Sequence, residues 1–260
     1  MCATCGCDSM PHDDHEHAHD HGHDHDHPHH DHTHLEPAEH EALHRRIKVE
    51  HELLAKNSQL AERNRGWLAG RGVTAFNLVS SPGSGKTTLL ERTIRDLAGR
   101  RQIVVIEGDQ ATARDAERIR ATGARAIQIN TGTGCHLDAA MVAKALPELD
   151  PPKGGIVMIE NVGNLVCPAL FDLGERAKVL LASVTEGDDK PLKYPHMFRA
   201  ASLVLLSKTD LLPYVPFDRA RFVAAVAEVN PRARVLGVSS TSGDGLAAWY
   251  GWLDDHGGPV

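Results

Sequence analysis

The stretch Phe76-Asn77-Leu78-Val79-Ser80-Ser81-Pro82-Gly83-Ser84-Gly85-Lys86-Thr87-Thr88 decides the fold. A short apolar run gives way to a glycine-rich turn, and the turn opens a segment of helix formers. That order is a phosphate-binding loop: successive backbone N–H groups wrap phosphate oxygens while the helix N-terminus adds positive potential. Gly83 and Gly85, with Ser84 between them, permit the close wrapping. Lys86 is expected to reach the β- and γ-phosphates, the Thr87 hydroxyl to hold Mg²⁺, and Thr88 to complete the loop on the first turn of the helix. The strict pattern asks for glycine at position 80, where this chain has Ser80.

Outward from this stretch, short apolar runs alternate with segments of helix length. Strands are predicted over 76–80, 103–106, 126–130, 156–159, 179–184, 203–207 and 235–239, and helices over 87–97, 112–121, 137–146 and 218–229. Near-continuous apolar strands are those covered on both faces. The expected fold is therefore α/β: a doubly wound, mostly parallel sheet of the P-loop NTPase kind, with ligands at the C-terminal ends of the strands. With 260 residues, 41% of them hydrophobic, the chain has material for one such core and an appendage.

Acids close two of the strands. Glu107-Gly108-Asp109-Gln110 follows the second and Glu160-Asn161-Val162-Gly163 the fourth, so Asp109 and Glu160 are expected to act with Lys86 and Thr87 in catalysis and to ligate Mg²⁺ or its waters. Gly163 is expected to offer its N–H to a γ-phosphate, which makes its segment a switch released on hydrolysis. Ser207-Lys208-Thr209-Asp210 ends the sixth strand. The Asp210 carboxylate suits the N1–H and exocyclic amine of guanine, whereas adenine presents an acceptor there; a buried polar site of that kind discriminates by roughly 10⁴ or more. The expected nucleotide is GTP, with the Lys208 stem along the base plane and Ser240 adding a backbone contact.

The N-terminal region has a different chemistry. Its first 44 residues hold eleven Asp and Glu and no Lys or Arg, so the formal charge of −7 belongs to them; the remainder carries 28 basic and 24 acidic residues. The folded part thus gives no strong basic signal for nucleic acid. Twelve of the 18 histidines lie between His12 and His34, and a segment so poor in apolar side chains is expected to be disordered and to buffer metal ions through neutral imidazole. The predicted organisation is a metal-binding tail over 1–36, a helical extension over 37–66 with a stripe of Leu43, Ile47, Leu54 and Leu60, and a nucleotide-binding domain over 67–260. No run of about 18 apolar residues exists, so the expected location is the cytoplasm with no membrane contact.

Five cysteines fit a reduced, metal-holding chain better than a disulfide framework. Cys2, Cys5 and Cys7 with the terminal amine offer soft donors that suit Ni²⁺ and also Zn²⁺. Cys135-His136 precedes a helical pattern, where a helix N-terminus would lower a thiol pKa. Cys167 lies in the segment that continues from Glu160. Two thiols and one imidazole make an incomplete tetrahedral set, completed by water, another side chain or the same residues of a second subunit.

The strings Met1-Cys2-Ala3-Thr4-Cys5-Gly6-Cys7, 80–88, 107–110, Cys135-His136, 160–168 and 207–210 together make the chain resemble the hydrogenase nickel-incorporation GTPases of the HypB family, over almost its whole length. Serine at position 80 is what that family looks like. The resemblance implies slow GTP hydrolysis, a GTP- or metal-linked homodimer, and nickel supply to the [NiFe]-hydrogenase large subunit together with the zinc- and nickel-binding protein HypA. It also implies metal sites at Cys2, Cys5 and Cys7 and at Cys135, His136 and Cys167. Two other roles share these features: delivery to urease by a GTPase of the same fold, and storage of nickel by the tail.

Overall fold

The computed structural model describes residues 37–109, 114–132 and 134–258. The chain divides into two compact units, Met1–Leu43 and His44–Val260. Of the first, the described residues are the opening turns of helix α1 (Pro37–Gly70). Cys2, Cys5, Cys7 and the histidine tract lie outside the described residues.

The second unit holds a seven-stranded sheet in the order β3-β2-β4-β1-β5-β6-β7. Its strands are β1 (Thr74–Ser80), β2 (Ile103–Asp109), β3 (Ala126–Asn130), β4 (Ile156–Glu160), β5 (Ala177–Ser183), β6 (Leu203–Ser207) and β7 (Arg234–Gly237). The expectation of a mostly parallel sheet sharpens to a wholly parallel one, since every pairing is parallel. Helices α2 (Lys86–Asp96), α3 (Arg114–Arg120), α4 (Ala139–Leu149), α5 (Lys190–Lys193), α6 (Pro195–Ala200), α7 (Arg219–Val229) and α8 (Leu246–His256) accompany the strands.

Side chains alternate across β1 and so feed both sides of the core. Phe76 and Leu78 pack with Leu89 and Leu90 of α2 and with Trp249 and Trp252 of α8. Ala75 joins Val142 and Leu146 of α4, and Val79 joins Phe198 of α6 and Phe222 of α7. The sheet is thus covered on both faces. All the strand C-termini gather at one edge, and the P-loop leaves β1 there.

Helix α1 does not dock by the predicted stripe. Ile47 is 53% exposed, and the buried positions are Asn57, Ala61, Asn64 and Leu68. Those four fall along one helix face, and two of them are polar because the surface they meet is backbone. Asn57 donates to Asp172 O at 2.7 Å and accepts from Ala139 N–H at 2.9 Å, while Asn64 donates to Ala139 O and to Leu173 O at 2.9 Å. A reading based on apolar periodicity passes over a face that docks by amide hydrogen bonds.

Candidate functional site

The loop between β1 and α2 frames a cavity of about 530 Å³ lined by Pro82, Gly83, Gly85, Lys86, Thr87 and Thr88. Gly83 and Gly85 sit at φ +75 and +95, conformations that favour glycine. The strand ends contribute Glu107, Asp109, Glu160 and Gly163 to the same wall, and Lys208 closes it from the end of β6. Lys86 donates through Nζ to Ser80 Oγ at 2.8 Å. The serine that departs from the generic P-loop pattern is therefore the partner that holds the lysine. Thr87 Oγ1 donates to Glu160 Oε1 at 2.7 Å, and Ser84 Oγ to Glu186 Oε1 at 2.7 Å.

Glu107 has no role assigned by sequence spacing, yet it belongs here. It pairs in register with Glu160 across β2 and β4, so two buried carboxylates stand side by side at the phosphate end of the sheet. Among the described residues, Oε2 of each is buried without a hydrogen-bond partner. The signal was present in the sequence as an acid directly after an apolar strand, but its polarity marks it as loop when it is the fifth residue of β2. Asp115 and Arg118 also line the cavity, from α3, and nothing in their spacing marks them.

Burial sets the charges. Lys86 is held below the ordinary lysine value by desolvation, with Glu160 pulling it back. Desolvation, reinforced by Glu160 and then Asp109, pushes Glu107 up to about 8; desolvation pushes Glu160 up to about 7, against the pull of Lys86. Two uncompensated carboxylate oxygens beside a P-loop hydroxyl are hard oxygen donors that fit a divalent cation such as Mg²⁺. A carboxyl whose folded pKa is raised keeps its proton longer folded than unfolded. Between the ordinary value of 4.5 and about 8 the folded state therefore holds more protons, and stability declines as pH rises. We expect protein stripped of nucleotide and cation to lose thermal stability across that window and Glu107→Gln to flatten the slope, as read by denaturation scans at stepped pH; identical slopes would contradict the assignment.

The second cluster lies a few residues away along the chain. Cys135 Sγ donates to Cys167 Sγ at 2.8 Å, and His136 Nδ1 lies 3.6 Å from Cys135 Sγ. One donor atom from each of the three residues falls within 4.8 Å of the others, and all three are half-buried. The His136 ring packs on Phe171 with centroids 3.9 Å apart. One expectation is corrected: α4 begins at Ala139 behind its N-cap Asp138, so Cys135 does not sit at a helix N-terminus. Its thiol is pushed up, by the neighbouring Cys167 thiol first and then by burial, and His136 is pushed down by burial.

Two glycines set the distance between the clusters. A Cβ on Gly163 would stand 3.0 Å from Pro82 Cα, so the segment after β4 lies directly against the P-loop. A Cβ on Gly108 would fall 2.7 Å from Leu137 Cγ, and Leu137 follows His136 and is fully buried. We expect Gly108→Ala to cost about 1–3 kcal/mol by overpacking and to weaken metal binding by displacing the Cys135-His136 loop; denaturant midpoints and nickel titration check both. Asp210 and Ser240 are not part of the cavity wall. Asp210 lies in the 3-10 turn Thr209–Tyr214, which is tied to the end of the sheet by Thr209 N–H donating to Val238 O, and Ser240 O accepts from Arg92.

Residues 74–237 match the model of the CobW/HypB/UreG nucleotide-binding domain. The chain is 59% identical over 210 residues to the hydrogenase maturation factor HypB of Escherichia coli (strain K12), covering 81% of this chain and 72% of that one. The chain belongs to the HypB family of P-loop GTPases. A hydrogenase/urease maturation factor HypB of Helicobacter hepaticus is 41% identical, with 77% of this chain and 84% of that one covered. Among solved structures, HypB from Archaeoglobus fulgidus superposes with a TM-score of 0.73 at 40% identity, covering 77% of this chain and 98% of that one. HypB from Helicobacter pylori in complex with nickel also gives 0.73, at 38% identity, covering 78% and 95%.

Proposed function

We propose that this chain is a GTP-hydrolysing nickel metallochaperone that delivers nickel during [NiFe]-hydrogenase maturation. The observation that carries this reading is one short segment with a foot in each site. Glu160 accepts from the P-loop Thr87, and seven residues later Cys167 meets Cys135. Midway, Asn164 Nδ2 donates to Cys135 O at 3.3 Å. A γ-phosphate that engaged the Gly163 N–H would therefore reposition two thiols. Thr87, Asp109, Glu160 and Glu107 would hold Mg²⁺, which neutralises phosphate charge when bound. Lys86 and the loop amides orient the phosphates, and Lys208, Asp210 and Ser240 receive guanine.

Nickel is the cargo. Cys135, His136 and Cys167 supply two soft donors and a borderline one, a set shared by Ni²⁺ and Zn²⁺. Three donors leave a position open for a second copy of the chain, and Val166 and Leu170, each more than half exposed, flank Cys167 where such a copy would seat. Cys2, Cys5 and Cys7 form the other proposed site. A HypA-like protein and the hydrogenase large subunit are the proposed partners. Action in the cytoplasm is the proposed location; among the described residues no helix is long and apolar enough to cross a membrane.

The test is nickel affinity measured with GDP and with a non-hydrolysable GTP analogue; equal affinities would remove the coupling. The relative from Helicobacter hepaticus, whose name joins urease to hydrogenase, makes urease a second destination. Restoring each enzyme separately in a strain lacking this protein distinguishes them. Storage by the tail is excluded as the main role when deletion of residues 8–36 leaves hydrogenase maturation intact at adequate nickel.

A further inference from the structure

A continuous series of hydrogen-bonded polar groups runs through the interior from the residue after His136, past the nucleotide cavity at Asn161, and back to Phe171. Asn77 is fully buried in the middle of β1, between Ala75 of one apolar cluster and Val79 of another. Its Oδ1 accepts from Asn161 Nδ2 at 3.2 Å, and its Nδ2 donates to Glu175 Oε1 at 3.1 Å. Asn161 Oδ1 accepts the N–H of Leu137 at 3.1 Å and of Val162 at 3.0 Å. At the far end Glu175 accepts from Leu173 N–H at 2.6 Å and from Lys178 Nζ at 2.7 Å. Lys178 Nζ also donates to Phe171 O at 2.9 Å, and the Phe171 ring supports His136. The path closes on itself, from the residue after His136 to the ring beneath it.

All donors along Leu137, Asn161 and Asn77 point one way, toward the Glu175 carboxylate, and aligned bonds of this kind polarise one another in a low-dielectric interior. Neither amide can shift alone without leaving a buried polar group unmatched, so the members are cheapest to move together. The series reaches the nucleotide cavity at Asn161, which lines it. Asn161 directly follows Glu160, the acceptor for Thr87, and Asn77 lies three residues before Ser80, the acceptor for Lys86. An apolar residue at position 77 would join the two apolar clusters with no such constraint.

We propose that Asn77 is a positioning residue that couples the two pockets, tying the Cys135-His136-Leu137 segment and its Phe171 support to the strand ends that hold the nucleotide. This rests on the reading of nucleotide-controlled nickel binding given above and names the internal route by which it acts. A role confined to filling the seam would lower stability and leave the coupling unchanged.

The test uses the full chain with Asn77→Leu and Asn77→Ser, beside Leu253→Ala, which trims the buried core of α8 on the opposite face of the sheet. Guanine-nucleotide affinity and nickel affinity are measured with GDP and with the GTP analogue. In both Asn77 variants we expect nucleotide binding to persist and the ratio of the two nickel affinities to fall to about one; Leu253→Ala keeps the wild-type ratio. A wild-type ratio retained by both Asn77 variants overturns the route and leaves the coupling standing, whereas a ratio of one in the wild-type chain overturns the coupling and the route with it. Should neither variant fold, amide hydrogen exchange of the wild-type chain decides. Protection of the Leu137 N–H is expected to differ between the two nucleotide states, and equal protection overturns the route.

Discussion

Lys86→Ala is expected to slow GTP turnover by about 10²–10³-fold, the loss that follows removal of one preorganised charge from a phosphate or oxyanion site. The lysine is 8% exposed and stands among Glu160, Asp115, Glu186 and Glu107, whose fields hold its charge against desolvation. Two effects compete when it goes. Phosphate loses a buried cation, which costs turnover; the carboxylates lose a counter-charge, which they relieve by taking up protons, so the fold is expected to survive. Lys86→Arg should not restore the rate, because the planar guanidinium cannot replace a point charge seated on Ser80. Single-turnover phosphate release with parallel thermal scans separates chemistry from unfolding, and an undiminished rate would take Lys86 out of the site.

Replacing Cys135 and Cys167 together by serine is expected to weaken nickel binding at the half-buried cluster by more than the about 10–100-fold that loss of an outer-shell partner costs. Both soft donors go at once, and the hydroxyls left behind are poor ligands for a borderline ion. The measurement belongs in the full chain carrying Cys2→Ser, Cys5→Ser and Cys7→Ser, with a chelating competitor strong enough to strip imidazole-bound ions. Affinity in the parent should climb with pH, since nickel binds the thiolate and the Cys135 thiol is pushed above its ordinary value. His136, pushed down by burial, stays neutral and adds little to that slope. Unchanged affinity in the double variant would move the nickel site elsewhere.

Where local chemistry is dense, the fold was legible. The order strand, glycine-rich turn and helix around Gly83 and Gly85 has one physical use, and the apolar runs at 103–106 and 156–159 lie within β2 and β4. Pairing hid the rest. β2 continues through Glu107, Gly108 and Asp109 because these bond to β3 and β4, and no local preference of Glu-Gly-Asp shows that. Helix α8 escaped because its inward residues, Trp249 and Trp252, belong to a core that exists only once β1 and α2 are in place. Of the site, sequence could name Cys135, His136 and Cys167, but bringing them together takes two connections from different strands. The roles of Asn77 and Asn161 were invisible for the same reason: an asparagine in an apolar run has meaning only through the partner the fold provides.

Those two connections leave β3 and β4, which are not neighbours, since β2 lies between them. An ion held, as proposed, by Cys135, His136 and Cys167 would act as a clasp between the connection that follows β4 and the outermost strand. β3, half-exposed and bonded within the sheet to β2 alone, is the rim that the clasp secures. Under the proposed function cargo and brace would be the same atom, and the nickel-free form is expected to be the more open to nicking and strand-to-strand adhesion along that rim, as limited proteolysis with and without nickel would read.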